Sequence, residues 1–346
     1  MALYKNNMFI SPTVADPNKT TFLAVITIVI ILWYLLTKFD RHLYRIPGPT
    51  LAGFTSLWKT WDTLKGESQY TTINLHRKYG PLVRIGPNHI SVSDPAAVKV
   101  IYAAGKGFTK TAFYPIQTTV HNRKPLFNLF ATRDEQYHSR IKRPIAHTYS
   151  MAALTQLEHK IDYVTSMFMT KLREDFAERG RVIDLGQWLQ WYAFDVIGNL
   201  TFSKTLGFIE ESRDVDNIIA NIGSFFIYAA VIGQLPFLHN LLAGNPILPY
   251  LYPEIEQFNP AVKFALKCIE QTESSKVDPQ LKAMERSSLA FGAGSRVCIG
   301  KNISMMEMSK VVPQLFREFD VSLVSPKKDL RTVNHWFLNY INYINA

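Results

Sequence analysis

Residues 291–300 read FGAGSRVCIG, and residues 301–319 continue KNISMMEMSKVVPQLFREF. The second run has a helical period, with Ile303, Met306, Val311 and Leu315 broadly on one side. Cys298 therefore stands on a glycine-rich loop at the start of a helix. Backbone N–H groups and the positive end of the helix dipole favour an anion there, and the thiolate is the form of cysteine that binds a metal. Gly292, Gly294 and Gly300 let the backbone turn sharply and lie against a flat ligand. Arg296 offers a planar fork that matches a carboxylate, and Phe291 is an apolar ring able to keep water from the sulfur. The competing reading is a core cysteine on a loop whose glycines merely turn.

Around this segment lies a chain of 346 residues, long enough to bury a large core and, by length alone, to form about two domains. Hydrophobic residues make up 47% and charged residues 19%, the balance of a globular protein with one apolar anchor. The 38 basic against 28 acidic side chains give a net charge of +10, which suits an anionic partner or membrane surface. Lysine and arginine are spread along the chain rather than gathered into a stripe with interleaved aromatics, which argues against a nucleic-acid partner. Two cysteines, Cys268 and Cys298, exclude a disulfide framework and fit a reduced, cytosol-facing domain.

Residues 21–37, TFLAVITIVIILWYLLT, carry no charge and no proline and have the length of a short membrane-spanning helix. Trp33 and Tyr34 near its end suit a membrane interface. A secretory signal fits less well, because a polar stretch precedes the run and no small-residue cleavage site follows. Lys38, Arg41 and Arg45 after the run, against Lys5 and Lys19 before it, place the C-terminal bulk in the cytosol. Ile46-Pro47-Gly48-Pro49 then forms a stiff turn. The expected organisation is a lumenal segment over 1–20, an anchor over 21–37, a proline-rich linker over 38–50 and one domain over 51–346.

Within that domain the pattern predicts a helix over 69–79 stopped by Gly80-Pro81, and a hairpin over 82–92 turning at Gly86-Pro87-Asn88. Asp94-Pro95 starts a further helix. Leu154, Leu157, Ile161, Val164, Phe168, Leu172 and Phe176 predict one long helix over 151–179. A short VIDL strand and a helix over 185–198 follow. The apolar stretch 218–242, interrupted by Pro236, reads as a buried or membrane-facing helix pair, and the tail 339–346 as a frayed end or edge strand. The fold class expected is mainly α with a small β-sheet.

The 291–300 segment matches F-x-x-G-x-R-x-C-x-G at every fixed position, and on it the chain resembles the cytochrome P-450 family of haem-thiolate proteins. The stretches 78–98, 133–150, 195–203 and 278–296 look like its fungal pisatin-demethylase-like group. The resemblance implies a cytochrome P-450-like α+β fold holding haem b, with Cys298 as axial iron ligand. It implies that Arg296 contacts a haem propionate and that Phe291, Gly292, Gly294 and Gly300 shape the cradle. The family's early-helix Trp-x-x-x-Arg, which contacts a propionate, falls on His138 and Lys142, with Arg140 and Arg143 near enough to serve instead. Implied too is a monooxygenase acting on a lipophilic small organic substrate in fungal secondary metabolism or detoxification. Electrons would come from NADPH through a reductase, on a single-pass protein of the endoplasmic reticulum membrane. The 105–130 loop and the 218–242 region would cover the substrate.

One departure stands against this. The family carries a haem-crossing helix with an acidic–threonine pair and a Glu-x-x-Arg helix ahead of the cysteine loop. Neither appears between Pro260 and Leu289: Thr272-Glu273 lies in a polar run, and Glu270, Glu273 and Glu285 have no arginine three residues on. The sequence passes near residues 271–277 from one family segment to a much later one, as an internal deletion would leave it. The alternative function is therefore a catalytically inactive, membrane-tethered remnant that contacts membrane partners.

Overall fold

The computed structural model describes residues 17–38, 43–103, 107–121, 124–245, 247–251, 291–325, 327, 332–335 and 338–340. Its contacts divide the chain into two compact units, one made of the residues up to Trp58 with Leu75–Ser93, the other of Lys59–Asn74 with Asp94 onward. The segment searched for the missing family helices lies outside the described residues.

In the first unit, helix α1 (Pro17–Lys38) is exposed at each of its described side chains. Near its end the Trp33 ring lies 4.9 Å from Phe54. The expected hairpin is present: β1 (Leu82–Gly86) pairs antiparallel with β2 (His89–Val92), with Val83 opposite Ser91 and Arg84 opposite Ile90. The proline-rich turn is stitched to it, since Arg84 donates its backbone N–H to the Pro47 carbonyl at 2.8 Å. A Cβ at Gly48 would stand 2.1 Å from the Arg84 carbonyl oxygen, so only glycine fits there. The buried Arg84 side chain donates to the Pro87 carbonyl at 2.7 Å.

Helices α2 (Leu57–Lys65) and α3 (Ser68–Tyr79) follow the turn, and α3 ends at Gly80 with φ +94. In the second unit, Asp94 caps α4 (Pro95–Ile101) by accepting the Ala96 N–H at 2.8 Å. Helices α5 (Glu135–Ile145), α6 (Met151–Gln156), α7 (Glu158–Leu172), α8 (Leu185–Phe202) and α9 (Phe208–Glu211) come next. The predicted single helix over 151–179 is thus broken. Leu157 (φ −97, ψ 8) separates α6 from α7, and residues 173–177 widen into a π turn closed by Glu178 N–H to the Arg173 carbonyl. Its apolar face nevertheless persists, with Leu154, Ile161, Val164, Phe168 and Leu172 all buried.

The expected VIDL strand does not form. A strand needs a paired neighbour, and residues 181–184 have none among the described residues. Asp184 instead caps α8, accepting the Gln187 N–H at 3.0 Å. The sheet content is likewise split, among the described residues, into three separate two-stranded hairpins: β1–β2, β3 (Thr119–His121) with β4 (Lys124–Leu126), and β5 (Thr332–Asn334) with β6 (Leu338–Tyr340).

The apolar 218–242 region is a helix pair, α10 (Ile218–Ile232) and α11 (Pro236–His239). The window Val215–Ile232 has the length and composition of a membrane span and is 22% buried. Asp216 and Asn217, at φ 52 and 53, break that window. Its continuous helix of 15 residues rises about 22 Å, short of the ~30 Å hydrocarbon layer. A further short helix, α12 (Leu248–Leu251), precedes the long α13 (Lys301–Glu318).

The core lies where α7, α8, α9 and α13 meet. Phe168, Trp188, Tyr192, Val196, Phe208 and Ile209 pack with Ile303, Met306, Val311 and Leu315, the four positions read from the helical period of α13. Each large side chain so buried is worth ~1.5–3 kcal/mol. Lys310 clamps α13 to α7 from outside by pairing with both Glu158 and Asp162.

On α13, burial pushes the Glu307 carboxyl up to about 7, and it has no ion pair among the described residues. A folded pKa above the unfolded value (~4.3) makes folding take up a proton, so stability falls as pH rises from ~4.3 to ~7 and the full cost persists above that. Glu307→Gln should therefore leave urea-unfolding stability unchanged near pH 4.5 and raise it by up to ~3 kcal/mol at pH 8. An equal effect at both pH values would contradict this account.

Candidate functional site

The 291–300 loop is shaped by its own backbone. Cys298 donates its N–H to the Phe291 carbonyl at 2.8 Å, and Arg296 donates to the Ala293 carbonyl at 3.0 Å. Gly292 and Gly294 lie in the left-handed region at φ +79 and +55. A Cβ at Gly294 would stand 2.1 Å from the Tyr102 carbonyl oxygen, and one at Gly292 2.8 Å from the Arg296 carbonyl oxygen. These two glycines therefore serve the turn and its packing against the end of α4. Gly300 has an ordinary φ of −79 and ends the loop as the cap residue of α13. The atom nearest a Cβ there would be Cys298 Sγ, at 3.8 Å. Cys298 itself is a free thiol on the surface. The Phe291 ring lies 6.0 Å from Lys301 Nζ.

Helix α5 supplies the facing wall. Asp134 caps it, accepting the Gln136 and Tyr137 N–H groups, and so sets Glu135 in its first turn. Arg296 Nη2 pairs with Glu135 Oε1 at 2.5 Å across 161 residues of sequence. One turn on, His138 is buried, and Lys142 Nζ donates to the Val297 carbonyl at 3.4 Å. Asn302 Nδ2 donates to the Tyr149 carbonyl at 2.9 Å, tying the start of α13 to the chain beyond α5. His138 and Lys142 are thus brought to the cysteine loop together with Arg296. Arg140 and Arg143 are exposed and line an open groove with Gln136, Ser139 and Pro144.

Sequence reasoning missed Lys110. It is 9% exposed, and its Nζ donates to the carbonyls of Leu129 at 2.9 Å and Phe130 at 2.7 Å. Burial lowers its pKa to about 8, helped by Arg296 and Lys142 and opposed by Glu135. Burial, with Lys110, Lys142 and Arg296, also holds His138 below its ordinary value, and burial with Arg296 lowers Lys142. A usable signal did exist: Lys110 is the one charged residue between Gly107 and Thr118.

The electrostatics leave a residue of charge. With His138 neutral, Lys110, Lys142 and Arg296 outnumber the Glu135 carboxylate, and Cys298 acts on Lys142 from the loop, so the cluster is net positive. Arg296 Nη1, moreover, is buried with no acceptor among the described residues. An unpaired buried donor costs about 1–3 kcal/mol, more when charged.

The cytochrome P450 family model matches residues 47–282 and 275–342. The chain belongs to the cytochrome P450 family. Among its curated fungal relatives, a cytochrome P450 monooxygenase of Aspergillus terreus is 39% identical over 226 residues, covering 65% of this chain and 46% of the relative. The cytochrome P450 monooxygenase cicH of Emericella nidulans is 40% identical over 208 residues, covering 60% and 42%. The cytochrome P450 monooxygenase mpaDE of Penicillium brevicompactum is 37% identical over 235 residues, covering 66% and 28%. The chain thus spans less than half the length of each of these cytochrome P450 relatives.

Haem, the cofactor that this family implies, fits the residues present. Its anionic propionates suit the net positive cluster, Arg296 Nη1 has no acceptor among the described residues, and Cys298 presents an accessible thiol.

The two left-handed glycines at open and packed positions give a direct check on the loop. A Cβ at Gly107 (φ +79) would meet nothing within 4 Å, whereas one at Gly294 would meet the Tyr102 carbonyl. Gly107→Ala should cost only the left-handed penalty of ~1–2 kcal/mol. Gly294→Ala should cost clearly more in urea unfolding, because a backbone clash is added to it.

Proposed function

We propose that this chain is the haem-thiolate portion of a monooxygenase that inserts one oxygen atom from O2 into a lipophilic small organic substrate, in fungal secondary metabolism or detoxification. The observation that carries this reading is the accessible Cys298 thiol beside a partly buried, net positive cluster in which Arg296 Nη1 has no acceptor among the described residues. Cys298 would hold the haem iron, and its N–H bond to the Phe291 carbonyl fixes the loop that presents the sulfur. Arg296, Lys142 and His138 would hold the propionates, with Phe291, Gly292, Gly294 and Gly300 forming the cradle. When bound through a thiolate, haem supplies reductive activation of O2, one oxygen entering the substrate and the other leaving as water.

Electrons come from an NADPH-dependent reductase, for which the net charge of +10 suits an acidic face. Helix α1, 22 residues long and apolar over 21–37, rises about 33 Å and serves as a single-pass anchor. The reading places the domain on the cytosolic side of the endoplasmic reticulum membrane, with residues 1–20 lumenal and 38–50 as linker.

A second reading rests on the sequence near residues 271–277, which passes from one family-like segment to a much later one. The chain from 51 to 346 is then a haem-thiolate domain without the distal helix and its proton-delivery pair, a membrane-tethered remnant that does no oxygen chemistry.

The two readings separate on a reduced, carbon-monoxide difference spectrum of the chain expressed in microsomes with haem precursor. The enzyme reading expects a thiolate-type Soret band that disappears in Cys298→Ala. Normal protein levels with no band in either chain would leave the remnant.

A further inference from the structure

The corner formed by α11 and the turn after it is tied to α10 through a phenol. The Tyr228 hydroxyl, on α10, lies 3.0 Å from His239 Nδ1, and the two ring centres stand 6.0 Å apart. The Ala243 backbone N–H also reaches the Tyr228 oxygen. A backbone N–H can only donate. The hydroxyl hydrogen is therefore left for Nδ1, which accepts it, and the neutral ring carries its own hydrogen on Nε2. Gly244 packs on the same ring: its N–H donates to the His239 carbonyl at 2.8 Å, and a Cβ there would stand 2.5 Å from Nε2. The Tyr228 side chain thus holds both His239 and the turn that follows it.

The corner's own packing is slight. Phe237, Leu241 and Leu242 are exposed, and the N–H groups of Leu241, Leu242, Gly244 and Asn245 donate to carbonyls between Leu238 and Leu242, inside the corner itself. A segment with few buried apolar contacts opens locally at low cost. Its hinge is firmer, because a Cβ at Gly233, the cap residue of α10, would stand 2.2 Å from the Phe113 ring. Charge is scarce as well. Residues 217–253 contain no Asp, Glu, Lys or Arg. From α10 the titratable side chain facing His239 is Tyr228, neutral well above physiological pH. The loop that packs on Gly233 carries Lys110, whose ammonium is bound to the Leu129 and Phe130 carbonyls. A proton on Nδ1 turns the acceptor into a donor, aims it at an oxygen that already receives the Ala243 N–H, and leaves a half-buried cation without a counter-charge.

We propose that the Tyr228–His239 pair is an acid-sensitive latch, which holds residues 236–245 on α10 and releases them when His239 takes up a proton. The device is independent of any bound cofactor. Burial holds the closed imidazole below its ordinary value, so the open corner takes up the proton first. Closure is therefore at full strength above ~6.5 and weakens as pH falls below that, toward the closed-state value. Because Phe113 pins Gly233, the motion is confined to the residues beyond the hinge.

The test is hydrogen exchange over residues 236–245 of the full chain in detergent micelles, corrected for the intrinsic pH dependence of amide exchange, at about pH 7.5 and about pH 5.5. Wild type should lose protection severalfold at the lower pH. His239→Asn, whose side-chain oxygen can accept at the Nδ1 position and does not titrate, should keep its protection at both. Tyr228→Phe should be poorly protected already at the higher pH. His159→Asn, at an exposed histidine of α7, should follow wild type. Wild-type protection that ignores pH, or a His239→Asn chain that loses it as wild type does, overturns the proposal. Should His239→Asn fail to fold by circular dichroism, the His239 ring is titrated by NMR in wild type, its signal assigned by the shift that Tyr228→Phe causes. A midpoint below ~6.5 supports the latch, and one at or above it overturns the latch.

Discussion

Arg296 is held at one end and open at the other. One guanidinium nitrogen pairs with Glu135 in the first turn of α5, and the other is buried without an acceptor among the described residues. Burying a cation is expensive, and a single carboxylate offsets that cost only in part when two lysines stand close by. The position of the cysteine loop follows from this pairing. Arg296 fixes its middle to α5, Lys142 holds Val297, and Gly294 sits against the Tyr102 carbonyl. The Cys298 thiol is left exposed on that loop.

What holds that arrangement steady is the two-sided use of α13. Its Ile303, Met306, Val311 and Leu315 face enters the core made by α7, α8 and α9, and Lys310 adds a pair of carboxylate contacts from α7. Its other face carries Met308, Val312 and Phe316, each at least 45% exposed. The first turn therefore cannot drift without disturbing the best-packed part of the molecule. A reactive loop on such a helix is positioned by packing energy collected several turns away.

The sequence disclosed the pieces whose physics is local. A period of three to four residues marks which side of α7 and α13 is buried, and Asp94 and Gly80 mark where helices start and stop. The break at Leu157 and the π turn at 173–177 were not legible, because a periodic apolar face continues across both. The VIDL strand failed for a related reason: a strand is defined by a neighbour that one-dimensional reading does not supply. At the site, Cys298 and Arg296 were readable from one ten-residue segment. His138 and Lys142 rested on resemblance, and the geometry then set them apart from Arg140 and Arg143 by the face of α5 on which they lie. Lys110, the one charge in an otherwise uncharged stretch, was legible as an anomaly, but its partners at 129–133 appear only in the fold.

Uncompensated positive charge in a partly buried site carries a cost that precedes any chemistry. Under the haem-thiolate reading, the newly made chain must hold that cluster apart until a dianion arrives, and ligand at a hundred times its dissociation constant adds about 2.7 kcal/mol to the folded state. Net stabilities of domains are only ~5–15 kcal/mol. The cellular quantity of this protein is then set partly by how much haem its host makes, since chains left without it spend longer unfolded and are the first to meet the proteases. The basic cluster is in that sense a gauge of supply, read out as survival.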